Sequence, residues 1–171
     1  MARDKYMRRI LLLLPVCCLM AACSSTPKTT ATAYTGQRPL LVNGRAIAPE
    51  GVPDAVKKAI AAGNAIQHMP YVFGGGHGKP SHGLDCSGST SYVLRSAGLM
   101  QGCIPSQDFL KWGNHGPGKY ITVYARDGHV FMTVCGLRLD TSSGGSGHVG
   151  PRWNTKPRSL DRFKARHPAG L

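Results

Sequence analysis

The four residues Asp85-Cys86-Ser87-Gly88 place one cysteine at the start of the apolar-periodic run from Ser89 to Leu99. A cysteine at the first residue of a helix meets unpaired backbone N–H groups and the positive end of the helix dipole, and both favour the thiolate. The sequence therefore predicts that Cys86 is a nucleophile with a lowered pKa. A buried structural cysteine at a helix N-terminus is the alternative.

A nucleophilic thiol needs a base, and His129 supplies an imidazole in Gly128-His129-Val130, at the start of a predicted strand. A third polar group is expected to accept a hydrogen bond from the other ring nitrogen and so orient the imidazole. Asp140 is our first choice, because it follows His129 by eleven residues and a tight turn at Gly136 would bring it back. His148, in the glycine- and serine-rich loop that follows, is the alternative third residue, and a pair without a third residue also stays open.

Two predicted helices precede these strands. The first is expected to begin at Pro53 and Asp54 and to run to about Gln67, and the second runs from Cys86 to about Ala97. Residues 69–83 are glycine-rich and predict a loop whose backbone approaches a ligand or a neighbouring segment closely.

The later half of the chain has the alternation and turn residues of an antiparallel meander. A long irregular connection, residues 102–118, comes before it. The three predicted strands are Tyr120 to Ala125, His129 to Val134 and Leu137 to Thr141. Helices first and a meander later predict an α+β fold. A short extended segment is expected from Leu40 to Ile47, while the basic tail from Arg152 predicts no large element, with Phe163 docking it.

The first residues have the pattern of a secretory signal. A basic start is followed by the apolar run Ile10 to Ala22, which is too short for an ordinary transmembrane helix. Leu19-Met20-Ala21-Ala22-Cys23 resembles the lipobox of bacterial lipoproteins, which makes Cys23 the expected site of lipidation; ordinary cleavage near Ala22 is the alternative. Ser24 resembles outer-membrane sorting signals of two-membrane bacteria. We therefore expect a signal peptide at 1–22, an anchor and flexible spacer at 23–48 and one domain at 49–171.

Cysteine usage narrows the role of the thiols. After lipidation of Cys23, an odd number of cysteines remains, so in an oxidising compartment at least one stays unpaired. A disulfide between Cys103 and Cys135 would leave Cys86 free, although Cys135 also fits a small core residue. The spacing of cysteines and histidines does not match a zinc site, and we predict no cofactor.

The chain of 171 residues has a formal net charge of +13, which suits an anionic partner or an ordinary basic surface. Nucleic acid is not the expected partner, because no phosphate-binding loop or DNA-binding motif accompanies the charge. An exported protein meets the cell wall and membrane surfaces first.

The ordered set Tyr71-Val72-Phe73-Gly74-Gly75, Asp85-Cys86-Ser87-Gly88 and Gly128-His129-Val130 resembles the NlpC-type cysteine peptidases of bacterial cell walls. The likeness covers roughly Pro53 to Thr141. It implies a papain-like α+β fold and cleavage of peptidoglycan stem peptides at the γ-D-glutamyl bond to diaminopimelate or lysine. Family members often carry histidine at about the place of Asp140, so the aspartate is a departure.

The same resemblance implies that Tyr71, Asp85 and Ser87 line the substrate side, where Asp85 would bind the free amine of a stem peptide. From the residues alone, Asp85 fits a helix N-cap equally well, and Tyr71 fits core packing. The remaining loop histidines, for which a surface or substrate-rim role is expected, are His68, His77, His82 and His115. Two other functions stay open: acyl transfer or amidase chemistry by the same thiol, and non-catalytic wall binding by a lipoprotein.

Overall fold

The computed structural model describes residues 34–78, 81–142 and 148–171. Within these ranges the fold is α+β, with two helices packed against an antiparallel sheet. The predicted signal peptide and the lipidation site Cys23 lie outside the described residues. No helix in the described ranges is long and apolar enough to cross a membrane.

Helix α1 spans Asp54–Ile66 and helix α2 spans Cys86–Ser96, which confirms both predicted helices to within one or two residues. The buried face of α1 recurs at helical spacing: Val56, Ala59, Ile60, Ala62, Gly63 and Ile66. Helix α2 buries Val93 and Leu94 together with small polar side chains, two of which bond to the backbone one turn earlier. Ser89 Oγ donates to the Asp85 carbonyl at 2.7 Å and Thr90 Oγ1 donates to the Cys86 carbonyl at 2.9 Å. Small side chains satisfied in this way let the helix lie close to its neighbours.

The strands form a two-stranded hairpin and a six-stranded sheet. In chain order they are β1 Leu40–Val42, β2 Arg45–Ile47, β3 Asn114–His115, β4 Ile121–Arg126, β5 His129–Val134, β6 Leu137–Ser142, β7 His148–Asn154 and β8 Lys164–His167. The order in the large sheet is β3-β8-β4-β5-β6-β7, with all pairs antiparallel. The predicted meander is confirmed as β4, β5 and β6. Alternate residues of β5, such as Val130 and Met132, belong to the apolar core.

The tail from Arg152 contains no long element, but it contributes to two strands that the sequence analysis did not predict, the end of β7 and the four-residue β8. Strand β7 pairs with β6 and strand β8 pairs with β4, so the tail extends the sheet on both sides of the meander. The prolines and basic residues of these strands have low strand propensity, so the sequence does not predict them. Pairing with neighbouring strands of the sheet outweighs this low propensity. Phe163 does dock the tail, since its ring lies 5.1 Å from that of Phe131.

The hairpin β1–β2 belongs to the same packed unit, although the sequence analysis assigned it to the spacer. Asn43 and Gly44 turn the chain with positive φ values of 49° and 77°, as an Asn-Gly hairpin turn requires. Asn64 of α1 then holds the hairpin, because it bonds both the N–H and the carbonyl of Ala46 at 2.8 Å. The same Asn64 accepts a hydrogen bond from Trp153 Nε1 at 2.9 Å, which joins β7 to α1.

The contact between α1 and Trp153 gives a stability prediction. Gly63→Ala in an exposed helix would stabilise the protein by about 1 kcal/mol. Here a Cβ at Gly63 would overlap the six-membered ring of Trp153, so we expect a loss of about 1–3 kcal/mol in the free energy of unfolding. Urea unfolding measures the difference. Trp153→Phe replaces the indole by a smaller ring, so in that background Gly63→Ala should lower the free energy of unfolding clearly less. If Gly63→Ala stabilises the wild-type chain, the packing described is wrong.

Candidate active site

The first turn of α2 is organised by the carboxylate of Asp85. Its Oδ1 accepts hydrogen bonds from the Gly88 N–H at 2.6 Å and from Ser87 Oγ at 2.9 Å, and its Oδ2 accepts from the Gly74 N–H at 3.0 Å. Asp85 is therefore the N-cap of the helix, and it also ties the glycine loop to the helix start. Its residue is only 6% exposed, so most of its hydrogen-bonding capacity is spent on the protein itself.

The glycine loop approaches the helix so closely that side chains are excluded. A Cβ at Gly88 would overlap the carbonyl oxygen of Gly75, and a Cβ at Gly83 would overlap that of Pro70. Backbone hydrogen bonds close the loop, among them Leu84 N–H to the Pro70 carbonyl at 3.1 Å. The glycines of the sequence motif are thus required by backbone packing beside Cys86.

Cys86 lies at the helix start, as predicted, and hydrogen bonding from the backbone N–H groups of Val130 and Ser87 acts to lower the pKa of its thiol. Burial nevertheless raises the pKa of Cys86, and these hydrogen bonds only partly oppose it. The predicted lowering of the pKa is therefore wrong, because the sequence does not reveal how completely the thiol is removed from water. A thiol held in this way needs a base to take its proton.

Val130 directly follows His129, so the thiol lies one residue along β5 from the predicted base. The paired region of β5 and β6 begins only at Met132 and Leu139, two residues beyond Val130. The start of β5, which includes His129 and Val130, is therefore not paired with β6. The thiol of Cys86 lies close to the Val130 N–H in this region. Strand β5 brings the predicted nucleophile and the predicted base to the same end of the sheet.

The imidazole of His129 is oriented by Asp140. His129 Nε2 lies 3.0 Å from Asp140 Oδ1, and both side chains are buried. A carboxylate only accepts, so Nε2 donates to Asp140 and, in the neutral imidazole, Nδ1 keeps its lone pair. Arg158 Nη1, 3.3 Å from the same Nε2, therefore donates to Asp140 Oδ2 and not to the imidazole. Burial alone would raise the pKa of Asp140, but the hydrogen bond from His129 and the charge of Arg158 together lower it. Asp140 is thus an anion that fixes the tautomer a base at Nδ1 requires.

Two arginines complete this cluster, and neither was identified from the sequence. Arg138 Nη1 donates to Asp140 Oδ2 at 2.8 Å, and Arg158 Nη1 donates to the same oxygen at 2.5 Å while lying 3.3 Å from His129 Nε2. Arg138 could have been found, because it lies two residues before Asp140 and so shares its face of β6. Arg158 lies in the tail, and only the fold brings it to the site.

A cleft of about 460 Å³ opens beside Cys86. The three predicted substrate residues, Tyr71, Asp85 and Ser87, all line it, together with Phe73, Gly74, His77, Pro105, Ser106, Gln107, Asp127 and Gly128. Burial is the main cause that raises the pKa of Tyr71, with a smaller contribution from Cys86. The cleft therefore joins the glycine loop, the helix start and the turn before His129 into one surface.

The remaining predicted residues have different outcomes. Residue 148 pairs with Ser142 through its backbone in β7, and the side chain of His148 lies outside what the structure describes. Cys103 and Cys135 are both free thiols, so the optional disulfide between them is not formed. Cys135 lies in the tight turn between β5 and β6 with φ +48°, where it is buried. His77, for which a surface or substrate-rim role was expected, lines the cleft. Within the described residues, no group of three or more His, Cys, Asp or Glu side chains is arranged to hold a metal ion.

Comparisons with protein-family models and with curated proteins find no match to this chain. The function is therefore inferred from the geometry of the site and from the resemblance of its motifs.

The Asp140 cluster yields a second prediction. Asp140→Asn leaves Arg138 and Arg158 without their counter-charge, so we expect the free energy of unfolding at pH 7 to fall by about 3 kcal/mol. The folded-state pKa of Asp140 is lowered, so its contribution is present above the unfolded value of about 4 and is lost as the pH falls through the folded-state value. The difference between wild type and variant in urea unfolding should shrink below about pH 4.

The matched control is Asp161→Asn, an exposed aspartate in the same tail as Arg158. It should leave stability within about 0.5 kcal/mol of wild type. Equal losses for the two variants, or a loss for Asp140→Asn that grows on acidification, would contradict the role given to this carboxylate.

Proposed function

We propose that this protein is a cysteine peptidase of papain-like, NlpC-type fold that hydrolyses peptidoglycan stem peptides. One observation carries the proposal: the imidazole of His129 is oriented by the buried carboxylate of Asp140 at 3.0 Å, while Cys86 lines the cleft at the start of α2. Nucleophile, base and orienting group are the three parts that thiol hydrolysis needs.

In this mechanism His129 Nδ1 takes the proton of Cys86 as Sγ attacks the scissile carbonyl carbon. Because burial raises the pKa of the thiol, Cys86 depends on this base to give up its proton. The oxyanion that develops is stabilised by the backbone N–H of Cys86 at the start of α2, with a nearby donor. Protonated His129, held by Asp140, then returns the proton to the leaving amine.

The acyl group now forms a thioester with Cys86. Water, deprotonated by His129, attacks the thioester carbon, and the thiol leaves with its proton restored. The open cleft in front of Cys86 supports an extended peptide as substrate, and the basic surface suits the anionic cell wall. The resemblance points further to the γ-D-glutamyl bond to diaminopimelate. Lipidation at Cys23 would anchor the enzyme to the outer membrane, facing the periplasm.

The activity test uses purified peptidoglycan and mass analysis of the released fragments. Cys86→Ser and His129→Ala should each lower hydrolysis by about a thousandfold or more, because both residues act in one proton transfer. The double variant should be no slower than either single one. Fragment masses identify the bond, and transfer of the acyl group to an added amine would reveal an acyltransferase instead.

Two matched controls accompany this test. Cys103→Ser replaces another thiol near the cleft, and His82→Ala replaces an exposed loop histidine; both should keep hydrolysis within about threefold of wild type. If Cys86→Ser retains this activity at equal folded concentration, the proposed nucleophile is wrong.

A further inference from the structure

A second series of thiol, imidazole and carboxylate ends at Asp85 Oδ1, the oxygen that also caps α2. Cys103 Sγ lies 3.3 Å from His77 Nδ1. His77 Nε2 lies 3.0 Å from Ser87 Oγ and 3.3 Å from Asp85 Oδ1. The proposed hydrolysis does not use this group, although His77 lines the same cleft.

The hydrogen-bond partners determine which nitrogen of His77 carries the proton. Ser87 Oγ donates its hydrogen to Asp85 Oδ1 at 2.9 Å, so toward His77 both oxygens act as acceptors. Nε2 must therefore be the donor, which leaves the lone pair of Nδ1 facing the thiol of Cys103. This is the order of a thiol, a base and an orienting carboxylate, and it lets Nδ1 take the proton of Cys103.

Access to solvent distinguishes this thiol from the other two in the described part of the chain. Cys103 is partly exposed, whereas Cys86 and Cys135 are buried and burial raises the pKa of each. Reactivity of cysteines toward small reagents depends on both a proton acceptor and access. Cys103 has both.

We propose that Cys103 is a second nucleophilic thiol and a modification site for small soft electrophiles, in particular hydroperoxides. His77 Nδ1 takes the proton of Cys103, and the sulfur attacks one oxygen of hydrogen peroxide. The O–O bond breaks, the leaving hydroxide takes the proton from His77, and the products are a cysteine sulfenic acid and water. The sulfur is oxidised and the peroxide is reduced, so no further reactant is needed.

The test treats the folded full chain with hydrogen peroxide, traps sulfenic acid with dimedone and maps the adduct by peptide mass spectrometry. The adduct should form at Cys103 about tenfold faster than at Cys86, and His77→Ala should slow it by about tenfold or more near neutral pH. If His77 had only a structural role, its removal would not alter the pH profile of the reaction at Cys103. Removal of the base should shift the onset of reaction at Cys103 to more alkaline pH.

Three comparisons make the outcome decisive. His77→Asn keeps a hydrogen-bonding side chain beside Ser87 and should lose reactivity as His77→Ala does, while His82→Ala, in the same segment, should react like wild type. An adduct that forms faster at Cys86, or equal rates in the His77 and His82 variants, would overturn the proposal. Hydrolysis is measured on the same samples: loss of cleavage in Cys103→Ser, with cleavage retained in Cys86→Ser, would overturn the proposed hydrolase nucleophile and leave this inference standing.

Discussion

The carboxylate of Asp85 is the interaction on which the site depends. One buried side chain caps α2, holds the Gly74 N–H of the glycine loop and accepts the hydroxyl of Ser87. Cys86 occupies the first helical position because the cap sets where the helix begins. The same carboxylate orients His77 toward Cys103. A role in binding a substrate amine, which the family resemblance implies, would have to share a carboxylate that already has these protein partners.

A second buried carboxylate, Asp140, orients the proposed base His129. It fixes the tautomer of His129 and forms ion pairs with both Arg138 and Arg158. Arg158 belongs to the tail between β7 and β8, so the outer strands of the sheet and the proposed base are coupled through one ion cluster. The helix start and the strand start then meet where the Val130 N–H reaches the thiol. In each half of the site a buried carboxylate accepts several hydrogen bonds from the protein.

Both helices and the strand beginning at His129 could be predicted because their signals are local: helical periodicity, Pro53, Gly98 and the turn at Asp127-Gly128. The pairing of Asp140 with His129 was also accessible, since it needs only one tight turn. Features that depend on long-range contacts could not be predicted from the sequence. Strands β7 and β8, Arg158 and the contact of His77 with Cys103 arise from packing between distant segments. The pKa of Cys86 was predicted in the wrong direction, because helix position is visible in a sequence and burial by the rest of the fold is not.

The covalent intermediate is the most direct evidence for the central claim that Cys86 is the attacking group. Wild-type protein turning over a purified stem peptide can be quenched in acid within the first turnover and analysed by intact-protein and peptide mass spectrometry. The account predicts a thioester on the peptide that contains Cys86, which decays as product accumulates. A thioester on the peptide that contains Cys103, or turnover without any covalent adduct at any quench time, would contradict it.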